Sequence, residues 1–357
     1  MDKFGIDDHK IHYHLDRVQD WLHKTKTIYP IYIEISPSGA CNHRCTFCAV
    51  DYIGYKPRLL DKTLLKARIA EMAEKGVKSI MFAGEGEPLV HKDLAEIIAH
   101  THKAGIDAAI TTNAVLLNDK FVQAALPHTT WIKASVNAGS PETYAKIHQT
   151  KPEDFNTVIA NLKHAAAVRG RLSSPCALGA QMVLLPENAH EAYPLGEICK
   201  DAGIDYLVIK PYSQHNMSVT HAYEGIHYDR LMTMADELEK LNGDKFQIVF
   251  RRQTMENLAE SERYYKVCQA TPFFWAYIMA SGDLYGCSAY LEDKRFCYGN
   301  ILQNTFTEIW EGEKRRQSID YVERELDINE CRKNCRMDKV NRYLWDLKHP
   351  REHVNFI

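Results

Sequence analysis

No stretch of this sequence reaches the roughly 18 consecutive apolar residues that a membrane-spanning helix needs, so a helical membrane anchor is not expected. A basic excess is missing as well: 44 Lys and Arg face 47 Asp and Glu, for a formal net charge of −3. Nucleic-acid binders carry a basic footprint, and this balance argues against that class. The opening residues, MDKFGIDDHKIHYHLDRVQDWLHK, hold no apolar core of a secretory signal, which makes a cytoplasmic location the expectation. Solenoid repeats and low-complexity tracts are also absent. What remains is a chain of 357 residues, 45% hydrophobic, long enough to bury one large core and a smaller second one.

Against these absences, ten cysteines stand out. Without a secretory signal they do not read as a disulfide framework, and clustered thiols in a reducing compartment point to metal or redox chemistry. Cys41, Cys45 and Cys48 form a tight early group. Cys176 and Cys199 are isolated and read as core thiols, since free cysteine behaves as a small hydrophobe. Cys268, Cys287, Cys297, Cys331 and Cys335 form a looser late group. Two metal sites, one in each of two domains, are expected.

An amphipathic helix is expected over 8–24, with Ile11, Leu15, Val18, Trp21 and Leu22 on one face. Its histidines, His9, His12, His14 and His23, spread around it and read as solvent-facing. Strand-like runs at 31–35, 79–83, 108–112, 131–136, 178–184 and 206–210 then alternate with helical segments near 62–75, 92–104, 118–125, 153–169 and 189–201. Strand and helix in regular alternation imply parallel strands joined by crossover helices. Six such units fall short of a closed eight-stranded barrel. The fold class expected is therefore α/β: a partial (β/α)6 TIM-like barrel with a smaller C-terminal α+β domain. The expected division is 1–28 as an N-terminal helical extension, 29–225 as the barrel, 226–260 as a connecting helical segment and 261–357 as the second domain. Within the last, a hairpin is expected at 276–278 and 284–287, turning at 281–283, and a short helix near 305–312.

Chemistry in such folds sits at the C-terminal ends of the strands, and the polar residues of this chain collect there. Cys41 to Cys48 follow the first run, and Gly84-Glu85-Gly86-Glu87-Pro88 the second. Thr112-Asn113 end the third, while Ser135 and Asn137 end the fourth. Cys41-x3-Cys45-x2-Cys48 places three thiolates on one short loop. Three thiolates can hold three corners of a [4Fe–4S] cluster and leave the fourth iron open. Structural zinc takes four protein ligands, so a zinc reading would have to recruit His43.

This loop, with Phe47 before its last cysteine, resembles that of the radical S-adenosylmethionine (AdoMet) superfamily. Gly84-Glu85-Gly86-Glu87-Pro88 resembles the Gly-Gly-Glu-Pro motif with which that family holds the AdoMet amino group. An extra residue leaves Glu85 and Glu87 both as candidates, and Glu87, before Pro88, is the better match. Thr112-Asn113 resembles the family's Thr-Asn-Gly turn, with Ala114 in place of glycine, and Ser135 resembles its AdoMet-contacting serine. Leu184 or Leu185 stands where the family packs an apolar group on the adenine. The resemblance implies that AdoMet chelates the open iron and is cleaved by the reduced cluster to a 5′-deoxyadenosyl radical that abstracts hydrogen. A reductant such as flavodoxin or ferredoxin is then an implied partner.

The late run Cys268-x13-Gly282-x4-Cys287 resembles the opening of the SPASM and Twitch extensions of the same superfamily. Gly299-Asn300-Ile301, Phe306 and Trp310 resemble the next part of those extensions. A full SPASM module carries more cysteines and two clusters, so one auxiliary [4Fe–4S] cluster on Cys268, Cys287, Cys331 and Cys335 is expected. Cys297 is the alternative ligand, or a buried thiol beside Phe296. Zinc is an alternative at this site too.

An auxiliary cluster can accept an electron from a substrate radical, and oxidation of an alcohol carbon needs a base. Lys210 and His215, after the sixth run, are the candidates, and Arg251 and Arg252 are candidates for holding an anionic group. Only about 28 residues precede the first strand, whereas peptide-modifying relatives often carry an N-terminal leader-binding domain. The expectation is a small polar substrate, such as a sugar, cyclitol or sugar nucleotide, oxidised or epimerised at an alcohol carbon. A peptide maturase that crosslinks, epimerises or oxidises a precursor is the alternative. A non-catalytic iron–sulfur electron carrier is a third, different class.

Overall fold

A computed structural model describes residues 4–6, 8–259, 263–333 and 335–356. Seven strands lie side by side in chain order, every neighbour parallel: β1 (Tyr32–Ile35), β2 (Ser79–Phe82), β3 (Asp107–Thr112), β4 (Trp131–Ser135), β5 (Ala177–Leu184), β6 (Tyr206–Pro211) and β7 (Gln247–Phe250). Helices such as Lys62–Glu74, Leu94–Lys103 and Glu153–Leu172 connect them. The sheet curls without closing, and the expected open α/β barrel with a smaller α+β region is the fold observed.

Side-chain alternation explains the curl. Ile33 and Ile35, Ile80 and Phe82, Ala108 and Ile110, Ile132 and Ala134, and Leu207 and Ile209 all enter one core with helix residues such as Leu65, Ile69, Ile97 and Leu162. Residues between them point the other way. Tyr32, Met81, Ala83, Ala109 and Trp131 pack together on that inner face. On β4 the core-facing residues are buried while Trp131, Lys133 and Ser135 are half-buried. The inner face therefore lines an accessible lumen. Phe4 packs on Tyr206 at the first residue of β6, with ring centres 4.9 Å apart, and covers the lumen's strand-start end.

The segment 226–260, expected to be helical, also contributes β7, a seventh parallel strand paired to β6 through Leu207 and Ile248. Its helices are Met234–Glu239 and Arg252–Ala259, one on either side of that strand. A strand of four residues, Gln247–Phe250, is too short to carry a period that separates strand from helix, and pairing with β6 decides it. The expected hairpin is present as β8 (Trp275–Ile278) and β9 (Asp283–Tyr285), continued antiparallel by β10 (Cys297–Asn300). Unforeseen is that β8 also pairs in parallel with β1, Ile33 opposite Ala276. One ten-stranded sheet therefore runs through both regions, in the order β10-β9-β8-β1-β2-β3-β4-β5-β6-β7.

The N-terminal helix is Leu15–His23, preceded by a turn at Ile11–Tyr13. Its buried Val18 and Trp21 pack with Phe274, Val340 and Leu344, so it braces the C-terminal region.

Candidate active site

The loop leaving β1 carries Cys41, Cys45 and Cys48, all half-buried. Burial pushes the Cys41 thiol up to about 11 and raises those of Cys45 and Cys48, and the charges of Cys48 and Cys41 raise Cys45 further. Such thiols keep their protons until a metal displaces them. The Cys41 sulfur accepts the His43 amide at 3.5 Å. Three thiols on one short loop, with no fourth cysteine in that loop, fit three corners of a cubane and leave one iron for AdoMet.

His148 was not anticipated. It ends the helix Pro141–His148, fully buried, with Nδ1 3.2 Å from the Cys45 sulfur and Nε2 2.8 Å from the Val136 carbonyl. Burial, reinforced by His43, holds it down at about 3, so the ring is neutral, with its proton on the side facing Val136. The ligating atoms of His43, Cys45 and His148 lie within 4.8 Å of one another. A cation held there would use one thiol and leave Cys41 and Cys48 unexplained, whereas a cubane uses all three.

The Gly84–Pro88 turn locks this loop. A side chain on Gly86 would run into the Ser38 and Ala40 carbonyls, so only glycine fits the approach. The Glu87 amide donates to the Ala40 carbonyl at 2.8 Å. Glu87 and Glu85 then diverge. The Glu87 carboxylate is buried and accepts the Thr112 hydroxyl at 2.5 Å, the Asn113 amide at 2.8 Å and the Leu89 amide at 3.0 Å. Asn113 in turn donates to the Asn42 side chain at 2.6 Å, inside the cysteine loop. Ala114, where the resembled family has glycine, takes the left-handed conformation at φ 63°.

Glu85 turns toward the C-terminal region, where its Oε1 accepts the Ala280 amide at 3.3 Å and Oε2 is buried without a partner. Burial raises its carboxyl from 4.5 to about 7. Between these pH values the unfolded chain loses the proton first, so stability falls as pH rises through the window. Glu85→Gln removes that cost. The variant is expected to be about 2–3 kcal/mol more stable than the parent at pH 8 and equal to it at pH 4, as urea titrations at both pH values would read.

Phe47 packs edge-on to His148, with ring centres 5.7 Å apart, in a patch with Ile147, Val183, Leu185, Tyr212 and Tyr223. Leu184 is not part of it. Strand alternation turns Leu184 into the helix-side core, and Leu185 is the residue that joins Phe47. Asn137 is likewise turned inward: fully buried, it accepts the Val183 amide at 2.7 Å and braces the β4 and β5 ends. Ser135 ends β4, half-buried on the lumen face.

Lys210 also faces the lumen. His215 is buried, stacks on Tyr52 with ring centres 5.5 Å apart, and spends Nδ1 on the Met217 amide at 3.1 Å. Burial and the Arg332 charge lower it to about 4. With that lone pair engaged on the Met217 amide, His215 shapes its loop. Arg252 is ion-paired with Asp236 and Glu239 at the surface, away from the lumen. Asp51 was also missed. It accepts the Ser218 hydroxyl and the Val219 and Thr220 amides at 2.9–3.0 Å, which folds the loop after β6 over the cysteine loop.

The structure brings Cys268, Cys287, Cys331 and Cys335 together. Burial raises the Cys287 thiol first, and then the charges of Cys335, Cys268 and Cys331 raise it further. The Met337 amide donates to the Cys335 sulfur at 3.4 Å and the Asn341 side chain to Cys268 at 3.5 Å, and the Tyr290 hydroxyl lies 3.2 Å from Cys331. Donors aimed at sulfur suit iron-bound thiolates. Cys297 stands apart, raised by burial and then by Asp283. Four thiols so gathered fit one fully ligated [4Fe–4S] cluster. Cys176 and Cys199 lie in the main core.

Residues 35–193 match the family model described as the radical SAM superfamily, and residues 268–336 the SPASM iron–sulfur cluster-binding domain. Over 222 residues the chain is 27% identical to a GTP 3′,8-cyclase of Chlorobaculum tepidum, covering 59% of this chain and 64% of that one. The chain spans little more than half the length of the curated relatives it matches. In fold it resembles Streptococcus suis SuiB bound to the precursor peptide SuiA, with a TM-score of 0.65 at 18% identity, over 85% of this chain and 69% of that one. It also resembles anSMEcpe with bound AdoMet and the Kp18Cys peptide, with a TM-score of 0.58 at 16% identity, over 90% of this chain and 98% of that one.

Proposed function

The chain belongs to the radical SAM superfamily and carries a SPASM-type iron–sulfur domain, and from that premise we propose that it cleaves AdoMet reductively and removes hydrogen from a substrate held in the barrel lumen. The observation that carries this reading is the convergence of three half-buried thiols with the buried Glu87–Thr112–Asn113 network at one rim of the sheet. When bound, the cluster and AdoMet supply the electron and the organic radical. The chain's own residues do the rest. Glu87 and Asn42 tie the cysteine loop to the β3 end, Phe47 and Leu185 offer an apolar wall for the adenine, and Asp51 holds the loop after β6 across the top. Cys268, Cys287, Cys331 and Cys335 hold a second cluster near the same opening.

A peptide is the substrate class that the whole-chain likeness favours over a small sugar-like molecule. Two neighbours similar over most of this chain hold peptides. The anSMEcpe neighbour is covered over 98% of its length, so its peptide needs no domain beyond the shared fold. A small anionic substrate is the second reading, supported by the charge of the lumen and by relatives named for action on GTP.

The anaerobically reconstituted protein with dithionite and AdoMet is expected to release 5′-deoxyadenosine, measured by chromatography. Absence of the nucleoside from protein with a full iron complement would sink the reading. Host extract should accelerate the release. Loss of that stimulation on protease treatment supports a peptide, whereas loss on phosphatase treatment alone supports a small phosphorylated molecule.

A further inference from the structure

The lumen holds positive charge that the cysteine loop does not use. Lys133 on β4 alternates with Ile132 and Ala134, and Lys210 on β6 follows Ile209, all three in the helix-side core. Both ammonium groups therefore enter the lumen. Lys133 Nζ sits 5.2 Å above the Trp131 ring. Among the described residues neither lysine has a carboxylate partner. Two more cations face Lys210. Arg251 follows β7, its amide on the Ile209 carbonyl at 3.0 Å. Arg332 is anchored on the Ser213 carbonyl at 2.9 and 3.2 Å. The acid of this inner face, Glu34 on β1, is already engaged by Arg336 and by the Tyr32 hydroxyl at 2.7 Å.

Two ammonium groups in one confined lumen, neither with a carboxylate partner among the described residues, repel each other unless an anion joins them. Burial pulls Lys133 down to about 8, with the Arg251 charge adding to it, and burial followed by the Lys133, Arg332 and Arg251 charges holds Lys210 well below its usual value. We propose that Lys133 and Lys210 form an oxyanion subsite of the lumen that seats a phosphate or carboxylate group of the substrate. The inference rests on the reading that the lumen is the substrate chamber, and it adds that the substrate is anionic. A carboxylate would come from an acidic peptide residue, and a phosphate from a nucleotide or sugar phosphate.

Calorimetric titration of the reconstituted protein at low ionic strength tests it, with inorganic pyrophosphate and succinate as probes. Saturable one-to-one binding of at least one probe is expected. Affinity should fall roughly tenfold or more in Lys133→Gln/Lys210→Gln and return in Lys133→Arg/Lys210→Arg. A preference for pyrophosphate marks a phosphoryl source, and one for succinate a carboxylate. Absence of binding, unchanged affinity in the glutamine variant, or failure of the arginine variant to restore it overturns the proposal. The 5′-deoxyadenosine assay on the parent protein separates the two readings. Cleavage without anion binding removes the subsite alone, and anion binding without cleavage removes the catalytic reading alone.

Discussion

Replacing Cys45 by alanine is expected to abolish 5′-deoxyadenosine formation and to remove about four irons per chain. Cys45 is the most enclosed of the three loop thiols, raised by both of its neighbours, and it alone touches His148. Two remaining thiolates cannot hold a cubane whose fourth iron must stay open. The companion Cys287→Ala should also lose about four irons, because its sulfur is raised by all three of its partners. That variant should keep the cluster of the Cys41–Cys48 loop and retain AdoMet cleavage, while product formation fails. Iron analysis and electron paramagnetic resonance of the two variants, beside chromatography of the nucleoside, read the difference. Equal loss of cleavage in both would show that the two cysteine groups do not serve separate clusters.

Glu87→Ala should be the most damaging change outside the cysteines. The carboxylate serves three donors at 2.5–3.0 Å, and two of them belong to Thr112 and Asn113 at the end of β3. Its removal leaves buried donors unpaired, at about 3–5 kcal/mol. The same network reaches Asn42 through Asn113, so the cysteine loop loses its tether as well. A lowered urea midpoint together with weakened AdoMet binding is the expected result. Glu87→Gln keeps the shape and one acceptor oxygen but sets an NH2 against a donor. Its cost should be smaller, about 1–3 kcal/mol. An alanine variant as stable as the parent would mean that the three bonds do not secure the rim.

Much of this site was readable along the chain, because its information is local. The spacing of Cys41, Cys45 and Cys48 sets how many thiols one loop can present. The apolar runs of β1 to β6 set six strands and their direction. The late cysteines, scattered from 268 to 335, were grouped only through the resemblance of Cys268-x13-Gly282-x4-Cys287 to the SPASM and Twitch extensions. Where information lay in pairing through space, the sequence was silent. The run at β7 is too short to carry a period, and only its ladder with β6 makes it a strand. The parallel pairing of β8 with β1 joins the two regions into one sheet, and no residue near 275 announces a partner near 32.

The same division holds for individual side chains. His148 reaches Cys45 across 103 positions of sequence, and Lys133 meets the charge of Arg251 only because the sheet curls. Between adjacent leucines, strand phase sends Leu184 to the core and Leu185 to Phe47, and a shift of one residue would exchange them. Between two glutamates in one motif, the turn at Gly86 sends Glu87 to Thr112 and Glu85 to Ala280. The sequence by itself determined where the clustered thiols and the polar strand ends stand, since residue type and short spacing are local. Only the tertiary structure decided which groups surround that chemistry, because closure of the sheet brings together residues that no local pattern relates.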